Sequence, residues 1–131
     1  MIIYDLETTG TRYQYIVEIA AWNVVSDATF HRLVNPMEAN HPLYGTGIHH
    51  LTDEELLFEE TWTEVGRQFL LWMEQERFKT YLLLSHGCSD QVALKRDFIR
   101  SELHIPENWI FCNAQNRIYC GASRMCAKCI I

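Results

Sequence analysis

The chain has 131 residues, 48% of them hydrophobic, and a formal charge of −6. A chain of this length forms one domain with a buried core, and that apolar content excludes disorder. The acidic balance excludes nucleic-acid binding through a broad basic surface, because neutralised phosphates supply most of that affinity; it leaves open a site whose carboxylates are offset by divalent cations. Ile2 to Leu6 predicts a first strand, ended by Thr8-Thr9-Gly10. Tyr15 to Val25 is rich in β-branched and aromatic residues, and Thr29 to Val34 resumes that composition after a Ser26-Asp27 turn signal. An antiparallel meander is therefore expected, closed by Asn35-Pro36 and followed by a loop from Met37 to Ile48.

Two capping-box patterns come next, Thr52-x-x-Glu55 and Thr61-x-x-Glu64. The second opens a helix whose stripe of Trp62, Val65, Phe69, Trp72 and Met73 predicts one core-packed face. The apolar run from Thr80 to Leu84 fits a strand buried on both faces, Ser85 to Ser89 a loop, and Asp90 to Leu103 a helix ended by Pro106. Trp109 to Cys112 predicts a last strand. The order strand, strand, strand, helix, strand, helix, strand describes an α/β domain with a mixed sheet, in which ligands often sit at strand ends.

No run of eighteen apolar residues exists, and Asp5 and Glu7 interrupt the N-terminal apolar stretch, so a soluble intracellular chain, cytoplasmic or nuclear, with no membrane partner is expected. Five cysteines at irregular spacing predict reduced thiols. Residues 1 to 107 hold 8 basic against 17 acidic residues, net −9, whereas residues 108 to 131 hold 3 against 0, net +3. That reversal marks a domain over residues 1–112 and a distinct cysteine-containing tail over 113–131. Zinc binding by Cys112, Cys120, Cys126 and Cys129 is the weaker reading of the tail, because their spacings fit no usual zinc ribbon.

Side chains alternate along a strand, so Asp5 and Glu7 project from one face with Leu6 on the other. Paired carboxylates repel, and hard oxygen ligands at this spacing suit Mg²⁺ or Mn²⁺. The alternative is an exposed edge strand with a solvated acidic face. Asp90 on its own reads as a helix-capping residue.

The string Asp-Leu-Glu-Thr-Thr-Gly at residues 5–10, with Ile-Val-Glu-Ile-Ala at 16–20, resembles the first motif and second strand of the DEDD 3′–5′ exonucleases of the DnaQ-like, DEDDh type, a group with the ribonuclease-H-like fold. FHRLVNP at 30–36 resembles that family's third strand, and GIHHLTDEELL at 47–57 its loop-to-helix passage. Leu82 to Gly87 followed by Asp90 is similar to the second acidic motif. The likeness covers roughly residues 1 to 112. It implies hydrolysis of DNA or RNA from a single-stranded 3′ end with two divalent metal ions, Asp5, Glu7 and Asp90 as metal ligands and catalytic residues, and contact of the terminal nucleotide with Leu6, Thr8, Thr9 and His86.

The chain departs from the family pattern in two places. His86 to Asp90 is four steps where the family's motif commonly has five, with Asp97 as the fallback ligand. Neither His-x-Ala-x-x-Asp nor Tyr-x-x-x-Asp follows; the last aspartate is Asp97 and the last histidine His104, which predicts a site short of one carboxylate and its usual base, in a domain short at its C-terminal end. His86, His49 and His50 are substitutes for that base, each with a structural or solvent-facing alternative. A module of this fold that binds nucleic acid without hydrolysing it is therefore the competing function, and an interaction domain with neither metal nor nucleic acid the third.

Overall fold

Alternation of apolar and polar side chains decides which way the sheet faces. The structure is a computed structural model, described here over residues 1–10, 14–36, 50–75 and 81–115. Strand β1 (Ile2–Thr8) buries Ile2, Tyr4 and Leu6 and leaves Ile3 and Asp5 exposed. Strands β2 (Ile16–Asn23) and β3 (Thr29–Leu33) complete the expected meander. The β2–β3 turn closes through Asn23 N to Ala28 O at 2.8 Å, with Asp27 at φ 62°, where aspartate is better tolerated than most residues.

Helix α1 (Asp53–Leu56) begins with both halves of the expected capping box: Glu55 N donates to Thr52 Oγ1 at 3.3 Å, and Thr52 N donates to the Glu55 carboxylate at 2.8 Å. At the head of α2 (Trp62–Gln75) the Thr61 hydroxyl donates to the Glu64 carboxylate instead. Strand β4 (Tyr81–Ser85), helix α3 (Cys88–Arg100) and strand β5 (Trp109–Asn113) follow. Their sheet order is β3-β2-β1-β4-β5, antiparallel among the first three strands and parallel from β1 through β4 to β5. This is the ribonuclease-H-like mixed sheet that the family resemblance implies.

Both longer helices pack on one face. Val65, Phe69 and Met73 of α2, with Ala93, Leu94 and Phe98 of α3, join Ile2, Tyr4 and Leu6 in a single core cluster. Phe69 sits at its centre, with ring centroids 5.3 Å from Phe30 and 5.7 Å from Trp109. The opposite face is more open: Leu82 and Leu84 are half-buried and Trp22 is exposed. Strand β4 is thus fully buried on one face, not on both as its continuous apolar run suggested.

Two helix boundaries differ from expectation. Helix α3 starts at Cys88, two residues early, because Gly87 in an extended conformation serves as its N-cap and leaves Asp90 inside the first turn. It ends at Arg100, three residues early, although the sequence pattern continues. Leu103 N donates to Phe98 O at 2.9 Å and Glu102 N to Ile99 O at 3.1 Å, with Glu102 at φ 55°. That is a Schellman closure with glutamate in the place glycine favours, and it turns Leu103 back onto the core.

Candidate active site

Strands β1 and β4 run side by side in the same direction, so their C-terminal ends open at one edge of the sheet. Their pairing joins Ile2 with Leu83 and Ile3 with Leu84; from there the chain leaves β1 toward β2 and leaves β4 toward α3 and β5. A crevice at such a divergence is where α/β sheets hold ligands. Asp5 and Glu7 stand at this end of β1, on the face opposite the helices. Since β1 is the middle strand of five, the edge-strand alternative for this pair is overturned. A register shift between Glu7 and Thr8 kinks the strand just beyond the carboxylates.

Asp90 enters from the first turn of α3. Its carboxyl is pushed above the usual aspartate value, first by burial and then by the charge of Asp5; the Gly87 N–H, the Ser89 hydroxyl and His86 act in the opposite sense. The crevice therefore brings Asp5 and Asp90, eighty-five positions apart in sequence, within electrostatic reach, with the exposed His86 beside them.

The other expected residues divide by role. Leu6 points into the core, so at that position the backbone remains to face the crevice. Thr9 is buried; its Oγ1 accepts from Tyr15 N at 3.2 Å while Thr9 N donates to Tyr15 O at 2.9 Å, closing the turn after β1. Thr8 is half-buried at the register shift. The fallback Asp97 has a structural task. It is 3% exposed, its Oδ2 accepts from Ile16 N at 2.8 Å, and its Oδ1 pairs with Arg100 at 2.7 Å.

His50 is exposed, whereas His49 and Cys120, Cys126 and Cys129 lie outside the described residues. Cys112 is buried and forms no disulfide. The residue that pattern reading passed over is Glu18. It lies directly across from Glu7 in the β1–β2 ladder and pairs with His31 at 2.6 Å, adding a third carboxylate to the same face. Its signal was the alternation in Ile-Val-Glu-Ile-Ala, which turns Glu18 away from the core.

Among the described residues no three histidine, cysteine, aspartate or glutamate side chains converge closely enough to hold a metal ion as they stand. The chemistry of Asp5 and Asp90 nevertheless fits a hard divalent cation. Two carboxylates disturb one another there, and the groups that favour ionised Asp90 include no lysine or arginine. A separate solvent-open cleft, lined by Tyr15, Asn35, Thr61, Trp62, Asp97 and Arg100 among others, includes none of Asp5, Glu7 or Asp90.

A family model described as Exonuclease, of the RNase T type, matches residues 2–116. The chain belongs to the exonuclease family. Among solved structures, this exonuclease domain is similar to cell-death related nuclease 4 (CRN-4), with a TM-score of 0.65 and 18% identity over 82% of this chain and 42% of that one. It is also similar to a full-length 3′-exonuclease, with a TM-score of 0.60 and 18% identity over 77% of this chain and 52% of that one. The domain thus spans about half the length of each nuclease or less. No curated protein matches it. No described helix is long and apolar enough to cross a membrane.

Proposed function

We propose that the domain is a metal-dependent 3′–5′ exonuclease acting on single-stranded DNA or RNA ends, with Mg²⁺ or Mn²⁺ held by Asp5, Glu7 and Asp90. The observation that carries the reading is the approach of Asp5 and Asp90 from different elements at the C-terminal ends of two parallel strands. Bound divalent ions would activate a water and stabilise the leaving 3′-oxygen. The chain's own part is to hold the carboxylates on rigid elements, through the ladder on either side of β1 and the N-cap of α3. The backbone from Leu6 to Thr9 would receive the terminal nucleotide, and the exposed His86 would meet its phosphate. Of the described histidines, His86 is the candidate for a general base, because it interacts electrostatically with Asp90.

The test is digestion of a 5′-labelled single strand in Mn²⁺ by the parent protein and by the Asp5→Ala, Glu7→Ala double variant. A ladder of shortened products from the parent and none from the variant is expected. Equal ladders from both would reject the site. Binding of the strand without shortening would favour the non-hydrolysing reading of the same fold.

A further inference from the structure

Tyr4 carries a polar atom that the fold leaves unused. The residue is 2% exposed, its ring lies in the core cluster, and its hydroxyl is buried without a hydrogen-bond partner among the described residues. Phenylalanine would fill the same space without stranding a hydroxyl, as Phe30, Phe69 and Phe98 do in the same core. A buried donor left unpaired is destabilising, so its placement calls for a reason.

The neighbours of this hydroxyl supply one. Pairing of Ile2 with Leu83 and Ile3 with Leu84 sets Tyr4 level with Ser85, both buried on the helix side of the sheet. Ser85 Oγ donates to Gly87 O at 2.7 Å, so its proton is committed to the loop. Gly87 is the N-cap of α3, three residues before Asp90 in the first turn. The tyrosine hydroxyl therefore sits beneath the turn that presents Asp90. Burial above all pushes that hydroxyl up to about 12; Ser85 eases the rise and the Asp90 charge adds to it. Ser85 is near enough for that effect, yet no hydrogen bond of ordinary geometry joins the two hydroxyls.

Resting on the reading of Asp5 and Asp90 as cation ligands, we propose that Tyr4 is a positioning residue for Asp90: its hydroxyl donates to one oxygen of that carboxylate when a divalent cation engages the other. The orphaned donor then finds its acceptor in the loaded protein, and the carboxylate is fixed from behind. Outer hydrogen bonds of this kind orient ligating carboxylates, and losing one typically weakens metal affinity about 10–100-fold.

The experiment is Mn²⁺ titration calorimetry on the full chain as parent, Tyr4→Phe, Asp90→Asn and the double variant, with thermal unfolding of each measured metal-free. Tyr4→Phe removes one unpartnered oxygen, so its metal-free melting temperature should equal or exceed the parent's. Its Mn²⁺ Kd should rise about 10–100-fold. In the Asp90→Asn background the same change should leave the Kd within twofold, because the hydroxyl acts through that carboxylate. A Tyr4→Phe Kd within twofold of the parent's would overturn the positioning role while leaving the cation site standing. A parent that binds no Mn²⁺ would overturn both.

Discussion

Replacing Asp97 with alanine separates the two aspartates of α3, one with structural partners and the other proposed as a cation ligand. The carboxylate is 3% exposed and joins α3 to the start of β2 through Ile16 N at 2.8 Å. Truncation leaves that amide unpaired in a region where Ile16 itself is 1% exposed, at a cost of about 1–3 kcal/mol. Arg100 also loses its partner, but its side chain is 28% exposed and its guanidinium still stacks on Tyr15 at 4.1 Å, so this adds at most about 1 kcal/mol. Against both stands the cost of burying the charge: burial raises the Asp97 carboxyl despite the help of Ile16, Arg100 and Arg96, and alanine removes that cost. The net expectation is a loss of about 2 kcal/mol, or roughly 6–8 °C in Tm for a domain of this size. Asp97→Asn keeps an acceptor for Ile16 and should lose less than half as much. Neither change should move the Mn²⁺ Kd by more than twofold, whereas Asp90→Asn should raise it well beyond that, to a still measurable value, with little effect on metal-free Tm. Circular-dichroism melts and calorimetry on the same preparations decide it. An Asp97→Ala protein that melts like the parent but no longer binds Mn²⁺ would refute this division of labour.

The two raised carboxyls also fix a pH dependence. Folded Asp90 and Asp97 hold their protons more tightly than a free aspartate at 3.8, so metal-free unfolding free energy should fall as pH rises from that value through their raised ones. Urea unfolding of the parent and of an Asp90→Asn, Asp97→Asn variant should show the slope reduced in the variant; an unchanged slope would count against both shifts. Phe69→Ala opens a hole among Phe30, Trp72 and Trp109 and should cost about 3–5 kcal/mol by the same assay, with a loss below about 1 kcal/mol showing that the rings repack. Glu102→Gly relieves a left-handed glutamate at φ 55° and should add about 1 kcal/mol, read as a higher Tm; a lower one would mean the side chain makes a compensating contact.

Much of the fold was legible because its strands and helices carry opposed periodicities. Alternation in Ile2 to Leu6 and the three-and-four spacing from Trp62 to Met73 each determine a buried face without help from the rest of the chain. Element ends were less legible. Neither the backbone closure at Glu102 nor the N-cap at Gly87 has a strong local signal, and Asp90 and Ser101 are both acceptable in helix and cap positions. The half-open second face of β4 was invisible for a different reason: an apolar run states what can be buried, not whether anything covers it. In the site, Asp5 and Glu7 could be read from one strand, whereas the choice between Asp90 and Asp97 depended on tertiary contact. Both lie on α3, two turns apart, and only the fold shows that Ile16 and Arg100 have already engaged the second.

Charge opposition in the crevice supports a ligand on physical grounds independent of any likeness to other proteins. Glu7 faces Glu18 across the ladder, an arrangement of like charges that destabilises a strand pair, and His31 at 2.6 Å gives Glu18 a hydrogen-bond partner. At Asp90 the opposing groups are an amide, a hydroxyl and an exposed histidine, while Asp5 adds a like charge. Asparagine at this first-turn position would keep a side-chain acceptor and remove the repulsion from Asp5, so the aspartate carries an electrostatic cost that the fold alone does not require. A doubly charged cation held by Asp5 and Asp90 would turn their mutual repulsion into shared attraction and favour the ionised form of Asp90. Mn²⁺-induced stabilisation should accordingly grow with pH across the interval in which the metal-free protein weakens, because the cation competes with the proton that folded Asp90 otherwise retains. Melting curves at paired pH values, with and without Mn²⁺, read that crossing directly; a Mn²⁺ shift that shrinks with rising pH would mean the ion binds elsewhere.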